Sequence, residues 1–272
     1  MRESIAVLMT VHNRRTTTLE CLGRFYGCRG IEDYDVDFYM LDDASTDGTA
    51  EAVAAAFPQV IILQGDGNLF WNRGMYRCWQ EALKEHHDFY LWLNDDTQLF
   101  EDALDVLFRD YAAAGVMSIV AGCCCDRETH SRVTYGGRVG NKLVEPDGAV
   151  REIECMNGNF VLVPDCVYRE IGMNDPYYRH GLADYEYGFR ARKKGVKVVV
   201  TSAYVAECDR HDEDKKCFDP KFPLKDRFKY LYSVRFDTIG QFHRNWKYLS
   251  RIKAIRIILA QHFQALFPRF YS

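Results

Sequence analysis

The feature that most constrains the fold is the alternation of short apolar runs with helical stretches over residues 1–115. Ile5 to Val11 (IAVLMTV) reads as a strand, followed by HNRR and a helical stretch from about Thr16. Val36 to Leu41 (VDFYML) is a second strand candidate and ends in DDASTDGT. The Ala-rich Gly48 to Phe57 reads as helix, Val60 to Leu63 as a third strand, Phe70 to His87 as helix and Phe89 to Leu93 as a fourth strand. Strands alternating with helices at this spacing predict an α/β fold with a Rossmann-like, mostly parallel, doubly wound central sheet flanked by helices. The near-continuous apolar character of the strands suits a sheet buried on both faces.

In such sheets, ligands bind beyond the carboxyl ends of the strands. Three of the four strands run into polar clusters, HNRR, DDASTDGT and NDDT, and the third leads into QGDGNLFWNRG. The last cluster is the most demanding. In YLWLNDDTQL, four residues suited to a buried strand meet Asp95 and Asp96 side by side. A strand points neighbours to opposite faces, so at least one carboxylate faces burial and needs a cation or donors. Magnesium or manganese carrying a diphosphate supplies that charge, because both prefer oxygen ligands and take one or two carboxylates plus phosphate oxygens. The structural alternative is that one of these acids caps the next helix, which Asn94 or Thr97 could also do.

Beyond Val116 the pattern is mixed. Strand candidates lie at Val116 to Cys125, Arg132 to Tyr135 and Glu154 to Val163, and a helix from about Asp184 to Lys194 leads to a strand at Val196 to Val200. No linker, repeat or low-complexity segment interrupts the chain. The reading is one domain over 1–220, with a nucleotide-binding half (1–115) and a second half of mixed pattern (116–220), which the resemblance named below implies is acceptor-binding, followed by a basic tail over 221–272. The tail carries 11 Lys/Arg and 2 Asp/Glu, whereas the first 220 residues carry 24 and 37. From Tyr248, the apolar residues Tyr248, Ile252, Ile255, Leu259, Phe263 and Leu266 recur at three and four, the spacing of an amphipathic helix. This helix can dock on the body, on a second copy in a homodimer, or on an anionic membrane surface.

The remaining stretches divide between chemistry and structure. Ser45, Thr46 and Asp47 suit a helix cap and Gly48 its turn, which leaves Asp42 and Asp43 for a base or ribose. The Gln64 to Met75 loop holds three glycines but neither the dinucleotide nor the Walker pattern. Its Asn72 and Arg73 could reach a phosphate or a base, or the loop could simply be packed by Phe70 and Trp71. In HGLADYEYGFRARKKG, Asp184 lies near a helix N-terminus, where the helix dipole stabilises a carboxylate. The ten cysteines show no C-x-x-C pair, the histidines and cysteines show no zinc spacing, and MRESIAVLMTV lacks a signal peptide's form. These features predict a cytoplasmic chain with reduced thiols, and the net charge of -4 argues against a nucleic-acid partner.

Taken together, VHNRRTTTLECL, MLDDASTDGT, LNDDT and MNGNFVLVPDCVYREIGMNDPYYRHGLADYEYGFRARKKG resemble the family-2 glycosyltransferases of the GT-A fold. The resemblance covers roughly Ile5 to His211. It implies an inverting, metal-dependent transfer from a nucleotide diphosphate sugar (UDP- or dTDP-linked) to a saccharide or lipid-linked saccharide in polysaccharide biosynthesis. On matching positions, nucleotide contacts fall on Thr10, His12, Asn13, Arg14, Asp42, Asp43, Asn68, Asn72, Arg73, Asn94 and Asp95. The Mn2+ or Mg2+ falls on Asp96 helped by Asp95, and acceptor contacts fall on Asn157, Gly158, Asn159, Tyr178 and His180. Asp184 falls on the catalytic base. Two departures stand out: Ala183 replaces the usual Glu before the base, and the family's metal-binding His falls near Glu207 and Cys208, which leaves His211 three residues on as candidate. A sugar nucleotidyltransferase is the alternative enzyme, although VHNRR lacks its glycine-rich loop; a degenerate scaffold subunit is the non-enzymatic one.

Overall fold

The side chains of β1 (Glu3–Val11) alternate between two apolar layers, with Ile5, Val7 and Met9 in one and Ala6 and Leu8 in the other. This period of two is that of a strand covered on both faces. The computed structural model describes residues 2–210 and 216–268.

After β1 the chain alternates as α1 (Arg15–Tyr26), β2 (Tyr34–Asp42), α2 (Thr49–Ala56), β3 (Val60–Gln64), α3 (Phe70–Ala82) and β4 (Phe89–Leu93). There follow β5 (Gln98–Leu99), α4 (Ala103–Ala114) and β6 (Ser118–Cys125). Short strands β7 (Val133–Tyr135), β8 (Gly137–Val139), β9 (Lys142–Leu143), β10 (Arg151–Glu152) and β11 (Cys155–Met156) lead to β12 (Phe160–Pro164) and α5 (Asp165–Ile171). The chain continues through α6 (Ala183–Lys193), β13 (Lys197–Glu207), α7 (Leu224–Leu231), α8 (Thr238–Tyr248) and α9 (Arg251–Leu266).

The main sheet runs β10-β13-β6-β12-β4-β1-β2-β3. Strands β3, β2, β1 and β4 are parallel, β12 is antiparallel to β4 and β6, and β6 and β13 are again parallel. One layer packs Leu22 and Phe25 of α1, Val53 of α2 and Leu107 of α4; the other packs Met75 and Trp79 of α3, Val167 of α5 and Tyr187 of α6. Val11 pairs with Asp42 and Asp42 with Gln64, so the first three strands finish level at one edge.

Several boundaries differ from the sequence reading. Helix α3 stops at Ala82 instead of reaching His87, because the N–H groups of Lys84 and Glu85 turn back three residues and tighten the last turn. Helix α4 has no bounds in the sequence reading, which expects only a next helix after Asp96. The expected strand Glu154 to Val163 is two strands, β11 in a small sheet with β8 and β9, and β12 in the main sheet, with Asn157 to Asn159 crossing between them. All ten cysteines are outside disulfides, and only Cys166 is exposed.

The amphipathic helix does not begin at Tyr248. The chain breaks at Leu249, and the Ser250 hydroxyl accepts from the N–H of Lys253 to start α9 afresh. Tyr248 closes α8 instead and donates its hydroxyl to Glu186 of α6. Glu186 is 0% exposed and also faces Arg190 at 3.1 Å and Lys247 at 3.7 Å. The tail is thus fastened to the body at α6. Tyr248→Phe is expected to lower stability by about 1–3 kcal/mol, since it leaves a buried carboxylate short of a donor. Urea unfolding monitored by tryptophan fluorescence measures this.

Candidate active site

Residue Asn94, at the end of β4, joins the two halves of the site. Its backbone N–H donates to the Asn159 carbonyl at 2.9 Å, and its side-chain oxygen accepts from the Trp71 indole at 2.7 Å. Next to Asn159, the Gly158 N–H donates to the Asp184 carboxylate at 3.1 Å. Two hydrogen bonds along one loop therefore link the β4 acids to the acid that opens α6. Glycine at 158 is required by closeness: a Cβ there would lie 2.6 Å from the Trp71 ring. Gly158→Ala is expected to push Trp71 off Asn94 and cost about 1–3 kcal/mol, as overpacking does. A lower melting temperature together with a shifted tryptophan emission would record both effects.

Asp95 and Asp96 converge on one cation. The Arg14 guanidinium lies 3.2 Å from Asp95 and 2.7 Å from Asp96. Asp95 is buried, with the Thr18 hydroxyl 3.5 Å away. Burial and then the charge of Asp96 push its carboxyl above the usual range, while Arg14 and Thr18 oppose the shift. Such oxygens suit a hard divalent cation. Among the described residues no group of three His, Cys, Asp or Glu forms a complete metal cage. Two carboxylates nevertheless fit a magnesium or manganese ion that draws its remaining oxygens from a bound diphosphate. His211 lies outside the described residues. Cys208 is buried beside Asp96, its thiol 3.8 Å from the Asp96 carboxylate.

Other expected nucleotide contacts brace the loops. Asp43 accepts three backbone N–H groups, from Gly67, Leu69 and Phe70, and it is buried. Asp42 is buried and accepts the N–H of Ser45 at 2.7 Å. Their carboxylates shape the loops around the edge where the expected base and ribose contacts of Asp42 and Asp43 fall. His12 donates to the Asp43 carbonyl, and Asn13, in the left-handed region at φ 52°, accepts from Thr46. Thr10 donates to the Trp71 carbonyl at 3.4 Å. Asn72 is buried and donates to the carbonyls of Asp175 and Tyr178, tying α3 to the loop before α6. Arg73 donates to the Pro176 carbonyl, while Asn68 remains exposed at the loop tip.

Across the Asn157 to Asn159 loop, Asp184 sits in the first turn of α6 and accepts from the N–H groups of Tyr185 and Gly158. Burial raises its carboxyl above the usual range, against those two N–H groups and the charge of Arg244. Asn157 donates to the Tyr185 hydroxyl at 3.3 Å, and its own side-chain oxygen is buried without a partner. Asn159 and Tyr178 are both buried. Asn159 bonds Thr97, and the Tyr178 hydroxyl pairs with His243 at 3.1 Å. His180 keeps an exposed edge, although its crevice depresses its pKa, and Arg235 and Arg14 add repulsion. Glu186, two residues after Asp184, is buried and engaged by Arg190, Lys247 and Tyr248.

Three contributions were not anticipated. His243, Arg244 and Tyr248 all come from α8, more than fifty residues beyond Asp184. Arg244 lies over the Tyr185 ring at 5.6 Å and within electrostatic reach of Asp184. Its only sequence signal is the basic, aromatic segment HRNWKY, which does not say what the helix packs against.

The sequence model described as Glycosyl transferase family 2 matches residues 6–155, more than half of the chain. No curated protein matches. Among solved structures, the chain is similar to the mannosyltransferase PcManGT from Pyrobaculum calidifontis, in complex with GDP-Man and Mn2+. The identity is 15% and the TM-score 0.56, over 96% of this chain and 76% of that one. It is similar to S. aureus TarS 1-349 at 13% identity and a TM-score of 0.56, over 98% and 72%. GalNAc-T7 with UDP, GalNAc and Mn2+ gives 12% and a TM-score of 0.62, over 96% of this chain and 54% of that one. At these identities the likeness is one of fold.

Proposed function

Because the chain belongs to glycosyl transferase family 2, we propose that this glycosyltransferase moves a sugar from a nucleotide diphosphate donor onto a saccharide or lipid-linked saccharide hydroxyl, with inversion, in polysaccharide synthesis. One observation carries the reading: the Asn94–Asn159 and Gly158–Asp184 hydrogen bonds bring a carboxylate pair and a lone carboxylate to the same sheet edge. Donor activation and acceptor activation need separate acids, and this edge supplies both.

The donor's nucleotide would lie along the ends of β1, β2 and β4, with Arg14 and Arg73 near its phosphates. Asp96 and Asp95 would hold Mn2+ or Mg2+, in keeping with the Mn2+ and nucleotide sugar of the mannosyltransferase. A bound divalent ion neutralises charge developing on the leaving diphosphate. Asp184 would take the acceptor hydroxyl's proton as that oxygen bonds to the anomeric carbon. The bond from that carbon to the phosphate oxygen breaks, and the nucleotide diphosphate leaves with the electron pair. Attack from the face opposite the leaving group inverts the anomeric centre.

A hydrolysis screen against UDP-, dTDP- and GDP-sugars with manganese tests this reading, because released nucleotide diphosphate identifies the donor without an acceptor. Turnover of one donor that depends on metal supports the enzyme. Absence of turnover and of donor binding across the panel would favour the scaffold reading, to which Ala183 in place of the usual Glu points.

A further inference from the structure

Helix α9 turns a row of five large apolar residues away from the protein. Its inner side carries the buried Ala254 and Ala265 and the half-buried Ile257 and Ile258, and packs against α7 and α8. Ile252, Ile255, Leu259, Phe263 and Leu266 stay exposed, Ile252 at 71% and Leu259 at 63%. At 100° per residue these five fall within a sector of about 80°. An uncovered row of this kind marks an interaction surface.

Charge decides what covers it. From Thr238 to the end the sequence has Arg244, Lys247, Arg251, Lys253, Arg256 and Arg269, and no Asp or Glu. Arg251, Lys253 and Arg256 are exposed and flank the row, and Arg251 stacks on the exposed Trp246 at 5.2 Å. A second copy meeting this face with its own α9, as a symmetric dimer would, sets like charges together with no carboxylate to offset them. An anionic bilayer matches both features, with lipid tails for the apolar row, headgroups for the arginines and an interfacial place for the indole.

We propose that α9 is a docking surface for an anionic lipid bilayer, lying in the interface plane with its Ile252–Leu266 row inserted. No described helix is long and apolar enough to cross a membrane, so attachment is peripheral. The anchor also orients the site: α8 precedes α9 and is fixed to α6 through Tyr248 and Glu186, on the helix that carries Asp184. A lipid-linked acceptor would then reach Asp184 from the surface that holds the enzyme. That consequence rests on the glycosyltransferase reading, whereas the binding itself does not.

The test is co-sedimentation of the full chain with vesicles of phosphatidylglycerol and phosphatidylcholine, against phosphatidylcholine alone. Removing the tail is a poor variant, because cutting at Tyr248 strips Glu186 of its partner. Leu259→Asp and the pair Arg251→Glu, Arg256→Glu change exposed side chains only, and melting temperatures check that they fold. Wild type is expected to bind the anionic vesicles, more weakly at high salt. Leu259→Asp and the charge-reversed pair should each bind at least about tenfold less. No binding to anionic vesicles, or binding unaltered by both variants, overturns the proposal. So does a dimer in vesicle-free sedimentation that Leu259→Asp dissolves, which would make a second copy the occupant. Donor hydrolysis should survive Leu259→Asp, so lost vesicle binding with intact hydrolysis separates this inference from the enzymatic one.

Discussion

Asp184→Asn is expected to cut sugar transfer by about 10² to 10⁴, or roughly 3 to 5 kcal/mol of barrier, while donor affinity stays nearly intact. The amide keeps the side chain's shape and an oxygen for the Gly158 N–H, but it cannot accept the acceptor's proton. The donor is proposed to sit on β1, β2 and β4, so its binding should not depend on α6. The pH profile adds a second readout. Burial raises the Asp184 carboxyl, so its basic form is populated only above the usual carboxylate range near 4. Transfer should fall as pH drops through that raised value, and the limb should be absent from Asp184→Asn. The same shift means that the folded state favours the neutral acid. Stability is fully present below the unfolded pKa and is lost as pH rises through the folded one. At neutral pH the Asn variant is relieved of that cost, but its single amide oxygen serves only one of the two N–H groups that Asp184 accepts, so its melting temperature should stay within about 5 °C of wild type. If the damage fell on donor affinity instead, Asp184 would be a nucleotide ligand. A variant within a few-fold of wild type would end its candidacy, and no substitute waits at Glu186, which is buried against Arg190 and Tyr248.

The parallel half of the sheet was readable because it rests on local signals. Each of β1 to β4 is an apolar run bounded by polar turns, and β1 shows its two-sided burial in sequence as an unbroken run. The second half rests on pairings that local pattern does not encode. Asn157 to Asn159 looks like the middle of a strand, yet it crosses between sheets, with Gly158 close under the Trp71 ring. Among site residues, the acids were legible as acids, but not what satisfies them. Asp43 and Asp184 differ little in sequence, and three loop N–H groups surround the one where two surround the other. Tyr178 and Asn72 have the chemistry of ligand contacts, and their internal bonds to His243, Asp175 and the Tyr178 carbonyl are not encoded locally. Arg244 was invisible for the converse reason: a helix's partner is set by tertiary docking, and α8 could have packed anywhere its amphipathic face was welcome.

Asp96→Ala is expected to remove metal-dependent donor binding, with affinity in the presence of manganese falling at least about a hundredfold, roughly 3 kcal/mol. Of the two acids Asp96 is the better ligand, since Asp95 is buried and its carboxyl pushed toward the neutral form. Arg14 makes the experiment more informative than a simple loss. Its guanidinium lies 2.7 Å from Asp96 and 3.2 Å from Asp95, where a divalent cation would otherwise balance them. In the variant it keeps only Asp95 and is freer to meet the diphosphate directly. Residual donor binding should therefore persist and be indifferent to manganese, whereas wild type should bind more tightly as manganese is added. Calorimetric titration of the donor with and without manganese distinguishes these cases. Affinity that still rises with manganese in Asp96→Ala would move the metal off this edge and, with it, the assignment of β4 as the leaving-group side of the reaction.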